Sequence, residues 1–330
     1  MRKALFLIVP LALLAGGWYL AGQPGPEDLA GLGLRVPAAS RGVVGEAPAS
    51  NPAAPPVDRT GETIRIASFN IQVFGESKLA NSAAVQVLVE VIRRFDVVAV
   101  QEIRAKRQDL LPRFVELINA GGGRYDYVIG PRLGRTSSKE QYAFIYNSAR
   151  VECDRDSVYT VDDPDDLVHR EPLVAAFRVR GPPADQAFTF TLVNIHTDPD
   201  EVHTELAMLD DVYRAVRDDG RREDDVILLG DLNADDRHLG ELAQLPYIAW
   251  AVSGVPTNTR GTKLYDNIIF DARATTEFTG NAGVLDLLRE FNLTIDQALA
   301  VSDHLPIWAE FDVYEGGASG RVAAQPDLHR

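Results

Sequence analysis

The feature that most constrains this chain is a succession of short apolar, β-branched segments separated by turns. Thr63–Asn70 (TIRIASFN), Asp96–Gln101 (DVVAVQ), Tyr125–Ile129, Ala143–Tyr146 and Leu173–Arg178 have the length and composition of strands. So do Phe188–Ile195, Asp225–Leu229, Asp266–Phe270 and Pro306–Phe311. Ser82–Arg94 carries Val85, Leu88, Val89 and Ile92 at helical spacing, and Leu110–Ile118 and Glu201–Arg217 also read as helices. About ten strands with few helices must bury their apolar faces against one another. The pattern therefore predicts two sheets packed face to face with helices outside.

The segments on either side of this region are different. Arg2 and Lys3 precede an apolar run from Ala4 to about Gly22, the charged and apolar regions of an export signal. The run approaches the ~20 residues that span a bilayer. Ala15-Gly16-Gly17 offers a small-residue cleavage site, whereas Trp18, Tyr19 and Leu20 prolong the run as an anchor would. Residues 1–22 are thus read as a signal peptide or a signal-anchor helix, engaging the export machinery or the membrane. Either reading places the remainder outside the cytoplasm: periplasmic or on the cell surface if tethered, secreted if cleaved. Residues 23–61, rich in Pro, Gly and Ala, read as a linker. Residues 62–314 form one catalytic domain, and 315–330, with Gly316, Gly317 and Gly320, a disordered tail.

Charge and cysteine content narrow the function. A net charge of −15 argues against a protein that coats nucleic acid by bulk electrostatics. It leaves room for an enzyme that holds a phosphate through a metal and a few local arginines. The one cysteine, Cys153, excludes an intrachain disulfide.

Chemistry is concentrated where strands end or begin. Asn70, Glu102, His196 and Asp231 terminate apolar strands, Asp266 opens one, and Asp303-His304 stand just before another. If the second group runs antiparallel to the first, all of them meet at one edge of the sandwich, held by rigid elements. Singly, each has a plainer reading: Asn70 as a turn residue, Asp231 to Asn233 as a helix cap, Asp303-His304 as a turn. Together they form a set. Converging carboxylates need a cation to stay ionised, and Asp, Glu and Asn oxygens suit Mg²⁺ or Mn²⁺. With two histidines to donate and accept protons, the set matches phosphodiester hydrolysis.

The segments SFNIQ, VVAVQEIR, VNIHTDP, ILLGDLNADD, YDNIIF and SDHLPI resemble, in that order, the motifs of the endonuclease/exonuclease/phosphatase superfamily. Phe69-Asn70-Ile71 leading into Gly75-Glu76-Ser77-Lys78, Gln101-Glu102-Ile103-Arg104, Gly134-Arg135 with Lys139-Glu140, and Arg170-Glu171-Pro172 resemble its deoxyribonuclease I-like branch. The resemblance spans about residues 63 to 313. It implies an α+β fold, a four-layer α/β sandwich of two packed, mostly antiparallel sheets flanked by helices.

It also implies roles. Glu102 is the principal metal ligand, with Asn70, Asp231, Asn233 and Asp303 around metal and phosphate. His196 and His304 flank the scissile phosphate, oriented by Glu140 and Asp266. Arg170 binds phosphate, and Arg104 and Arg135 contact DNA. The acidic loop 162–166 matches a structural Ca²⁺ loop at Asp163 and Asp166. Thr257 and Thr259 match a second such loop, whose acidic partner is Val255 here. The chain departs from the family at Ser138, where a tyrosine contacts deoxyribose, and at Gln72, where an arginine stands. The family's disulfides are absent as well.

The expectation is a divalent-metal-dependent endonuclease, non-specific for DNA sequence. The alternatives are a phosphodiesterase or phosphatase of a small or lipid phosphate using the same site, and an inactive binding module.

Overall fold

The computed structural model describes residues 61–136 and 138–317. The expected signal segment, the linker up to residue 60 and residues 318–330 of the expected tail lie outside the described residues. Among the described residues no helix is long and apolar enough to cross a membrane.

The first half of the chain runs β1 (Thr63–Phe74), α1 (Glu76–Ala80), α2 (Ser82–Ile92), β2 (Val97–Ile103), α3 (Leu110–Asn119), β3 (Tyr125–Ile129) and β4 (Gln141–Asn147). There follow β5 (Val151–Thr160), β6 (Leu173–Val179), β7 (Thr189–His196), α4 (Val202–Leu206), α5 (Leu209–Arg217) and β8 (Val226–Asp231). The chain then forms β9 (Ile248–Trp250), β10 (Asp266–Asp271), β11 (Phe278–Val284), α6 (Leu287–Glu290), α7 (Ile295–Val301) and β12 (Ile307–Asp312). One six-stranded sheet has the order β11-β12-β1-β2-β4-β3, the other β5-β6-β7-β8-β10-β9. Each has one parallel pair at its centre, β1 with β2 and β7 with β8, and antiparallel pairs elsewhere.

Three apolar layers follow from strands buried on both faces. Between the sheets, Ile64 and Ile66 of β1 meet Phe144, Phe177, Phe190, Ile227, Phe270 and Phe311. Phe177 stacks on Phe190 at 5.6 Å and meets Phe144 edge-on at 5.5 Å. On the outer face of the first sheet, Phe69, Val98, Val100 and Ile145 are covered by Leu88 and Ile92 of α2, Phe114 of α3 and Val301 of α7. Outside the second sheet, Val193, Leu228 and Ile269 are covered by Leu209, Val212, Tyr213 and Val216 of α5. The four-layer α/β sandwich is thus as expected.

The helix expected over 201–217 is broken into α4 and α5. Glu205, buried at the break, accepts from the backbone N–H groups of His169 and Asp198, so that turn is tied to a neighbouring loop. Residues 315–317, the described part of the expected tail, are bonded to the domain. Tyr314 bridges Ala187, Glu315 N–H donates to Gln186 O, and Gly316 N–H donates to Glu277, which holds this segment to the domain.

Candidate active site

The inward face of the strands turns from apolar to polar toward one end of the sandwich. On β1, Ile64 and Ile66 give way to Ser68 and Asn70. On β7, Phe190 and Leu192 give way to Asn194 and His196, and on β8, Leu229 is followed by Asp231. The fully buried Ser68, Gln101 and Asn194 form an amide floor across both sheets. Gln101 Nε2 donates to Asn194 Oδ1 (2.7 Å) and Ser68 Oγ (3.1 Å), and Asn194 Nδ2 donates to the carbonyls of Val100 and Ala143.

Register sets the next row. Asp231 lies opposite His196 in the parallel β7–β8 pair and opposite Asp266 in the antiparallel β8–β10 pair. Gly230 is required there. Its φ is +156°, and a Cβ would lie 1.9 Å from Ile195 O, so no other residue lets β7 and β8 meet at this level. Asp303 and His304 arrive just before β12, which is antiparallel to β1.

His196 Nδ1 lies 2.8 Å from Glu140 Oε1, and His304 Nδ1 lies 2.9 Å from Asp266 Oδ2. The two Nε2 atoms point to one carboxylate oxygen: Asp231 Oδ2 is 3.5 Å from His196 and 3.4 Å from His304. A carboxylate on Nδ1 fixes each ring and leaves Nε2 facing the centre. Burial alone lowers both histidine pKa values. For His196 the Glu140 and Asp231 charges outweigh it, leaving the pKa above 6.5. For His304 the Asp266, Asp231 and Asp303 charges do the same, and the pKa stands well above 6.5. Asp231 is raised by burial, but His304, His196 and the Asn70 amide bring it below its ordinary 3.8. Glu140, likewise opposed by burial, is held low by His196 and Arg170.

Glu102 sits where β2 breaks register with both neighbours, with φ at +63°. A bulge of this kind re-aims a side chain, at a cost of about 1–3 kcal/mol for a non-glycine residue in this region. The re-aimed carboxylate accepts from Val73 N–H (2.7 Å) and Asn70 Nδ2 (3.3 Å), and pairs with Arg104 at 3.2 Å. Asn70 Nδ2 also donates to Asp231 Oδ2 at 3.0 Å, linking the Glu102 cluster to the histidines. Asn233 N–H donates to Asp231 Oδ1, and its side-chain amide to Thr197 O. Asp303 Oδ1 is buried without a hydrogen-bond partner. The hard oxygens of Glu102, Asp231 and Asp303, one of them unpartnered, fit a divalent cation.

The arginines stand apart in what they touch. Arg170, 6% exposed, donates to the carbonyls of His196 and Thr197 and lies 3.5 Å from Glu140, so it braces the histidine from behind. Arg104 reaches both Glu102 and Glu140 and donates to Ser138 Oγ at 2.7 Å, the position where the family carries tyrosine. Arg135 lies at the surface, 2.6 Å from Glu201. In the acidic loop, Asp163 accepts from Val168 N–H, and Asp166, at φ +52°, lies 3.8 Å from Arg135. Among the described residues these acids do not form a group of three ligating atoms.

Several positioning residues escape a reading of the sequence. Lys78 donates to the carbonyls of Ile71 and Val301, and burial brings its pKa down to about 8 against the pull of Asp303 and Glu102. Thr257, fully buried, donates its hydroxyl to Asp266 at 2.6 Å, and Thr259 donates to Ser302 O. Both threonines, expected at a second Ca²⁺ loop, are joined by these bonds to the His304 side of the site. Ser302 Oγ donates to Asn70 O and accepts from His304 N–H, joining the two halves. Ser302 was visible only as part of the SDHLPI motif, Lys78 only as part of the Gly75-Glu76-Ser77-Lys78 resemblance, and the two threonines only as a loop match, none of them as a positioning residue. Beside Asn233 and Tyr265 opens a cleft of about 710 Å³ whose wall includes Arg237, His238, Asp235 and Lys263.

Comparison with known proteins agrees with this geometry. Residues 67–307 match the model of the endonuclease/exonuclease/phosphatase family. The chain is 35% identical over 261 residues to deoxyribonuclease-1-like 1 of Sus scrofa, covering 76% of this chain and 81% of that protein. It is 32% identical over 262 residues to deoxyribonuclease gamma of Rattus norvegicus, covering 74% and 83% respectively. A family protein of Bacteroides thetaiotaomicron shares the fold at a TM-score of 0.52 and 17% identity, covering 76% of this chain and 97% of that one. With its sandwich, its motifs in order and relatives of this similarity, the chain belongs to the endonuclease/exonuclease/phosphatase family of hydrolytic phosphodiesterases, on its deoxyribonuclease I-like branch.

Proposed function

We propose that this protein is a divalent-metal-dependent endonuclease that hydrolyses DNA phosphodiester bonds without sequence specificity, outside the cytoplasm. The observation that carries the chemistry is the pair of carboxylate-backed imidazoles aimed at one oxygen, Asp231 Oδ2. A phosphate between two such rings meets one Nε2 that accepts a proton from water and one that donates to the leaving 3′-oxygen. Asp231 supports the charged form of whichever ring carries the proton. Glu102, Asp231 and Asp303, with Asn70 beside them, are the residues that would hold Mg²⁺ or Mn²⁺, which would supply charge neutralisation at phosphorus. Arg170 and Tyr142 fix the His196 end through its carbonyl, and Thr257 fixes the His304 end through Asp266.

DNA as substrate is supported by the relatives named as deoxyribonucleases. It is further supported by Arg104 at the site and by Arg237 and Lys263 along the adjoining cleft. Such contacts favour phosphates, which carry no base information. The extracytoplasmic location rests on Arg2, Lys3 and the apolar run after them.

The test is a substrate panel of supercoiled plasmid, phospholipid vesicles and inositol phosphates, with Mg²⁺ and Ca²⁺ or with EDTA. Nicking of plasmid that stops with EDTA and returns with Mg²⁺ or Mn²⁺ is expected. Protein inert on DNA yet active on a phospholipid or inositol phosphate overturns the assignment of substrate.

A further inference from the structure

The pole opposite the histidines gathers a second set of acids. Asp225 stands immediately before β8, whose far end is Asp231, so the strand separates the two places by roughly 20 Å. Glu277 immediately precedes β11, and Glu315 follows β12. Asp225, Glu277 and Glu315 each offer an oxygen within 4.8 Å of the others, and Glu223, Asp224 and Asp225 form a second such group sharing Asp225.

Proximity of acids alone says little, but the burial here is unusual. Asp225 and Glu277 are 1% and 2% exposed. Asp225 Oδ1 and Glu277 Oε2 are both buried with no hydrogen-bond partner. Elsewhere in the cluster, Glu277 Oε1 accepts from Gly316 N–H, Glu315 from Thr189 N–H and Glu223 from Asp225 N–H. The charges that act on Asp225 are those of Glu277, Glu223 and Glu315, and those that act on Glu277 are Glu315 and Asp224. Apart from the neutral Thr275 hydroxyl beside Asp225, the groups acting on these buried oxygens are other acids, and such a set requires a proton or a cation.

We propose that this cluster is a structural site for a hard divalent cation, Ca²⁺ or Mg²⁺, held by Asp225, Glu277 and Glu315, with Glu223 and Asp224 at its rim. All-oxygen carboxylate sets of this kind suit hard cations. The ion ties together three segments distant in sequence: the α5–β8 connection, the approach to β11 and the end of the domain. It is remote from the catalytic pole and independent of substrate.

The site is tested in the full-length chain carrying Glu102→Gln, which weakens metal binding at the catalytic pole. After EDTA treatment, saturating Ca²⁺ or Mg²⁺ is expected to raise the melting temperature by about 3–6 °C, the two ions being compared separately. Adding Glu277→Gln, or Glu315→Gln at the exposed member, is expected to reduce that rise to below about 1 °C. Crystals soaked in Mn²⁺ are expected to show an anomalous peak among the three carboxylates. No cation-dependent rise, a rise of equal size with either added substitution, or crystals without that peak overturns the proposal and leaves a proton shared between Asp225 and Glu277.

Discussion

At the scale of residues, the site is a chain of charges around Asp231. Its electrostatics have a sign that stability measurements can read. His196 and His304 have folded pKa values raised above 6.5, so their stabilisation is fully present below about pH 6.5 and is lost as pH rises through those values. Asp231 and Glu140 are depressed, so their contribution is present above about 3.8 and 4.5 and is lost as pH falls through the folded values. In EDTA, wild-type melting temperature is therefore expected to lose a component above pH 6.5 that the double variant His196→Gln/His304→Gln lacks. An identical alkaline decline in both proteins contradicts the charge network. Thr257 acts one bond further out. Thr257→Val removes the hydroxyl donor to Asp266, worth about 0.5–1.5 kcal/mol, and is expected to lower kcat roughly threefold to tenfold with KM little changed. Equal kcat in the variant would show that Thr257 does not position the Asp266–His304 pair.

At the scale of elements, the amide floor joins the two sheets beneath the site. Asn194→Leu leaves Gln101 Nε2 and the carbonyls of Val100 and Ala143 short of partners in a fully buried layer. A loss of about 2–4 kcal/mol in urea unfolding is expected; a loss under 1 kcal/mol would mean that water or a rotated Gln101 replaces the amide. The same scale explains what the sequence made legible. Central strands such as β1, β2, β7 and β8 are buried on both faces and read as apolar runs. The strands it did not reveal, β5, β9 and β11, are all sheet edges. Half-exposed edges tolerate sequences such as VECDRDSVYT and FTGNAGV, where polar residues and glycine erase alternation. The candidate site was legible because its members lie near the ends of well-buried strands. Lys78 and Asn194 were not legible as positioning residues, because Val301 and Val100 lie far along the chain, and Thr257 meets Asp266 only through the folding of the loop between them. The burial of Arg170 was not legible, because nothing local marks a guanidinium as buried.

At the scale of the whole molecule, the sandwich has two unlike poles on one frame. One collects the histidines and their carboxylates; the other collects acids from three connections. The net charge of −15 gives the molecule as a whole no attraction for DNA, so binding must come from a few local cations. Arg135→Ala is accordingly expected to weaken DNA binding and to lower the slope of log K against log salt by about one. An unchanged slope would place Arg135 outside the contact surface, held by Glu201, Asp166 and Glu205.

The central claim is that two histidines, each held by its own carboxylate and sharing Asp231, carry out the hydrolysis. The most direct measurement is plasmid nicking in Mg²⁺ by the wild type, His196→Ala and His304→Ala, at matched melting temperature. General acid–base catalysis contributes about 10²–10⁴-fold, so each single variant is expected to lose activity on that scale. Either variant, correctly folded and nicking within about threefold of the wild-type rate, contradicts the account.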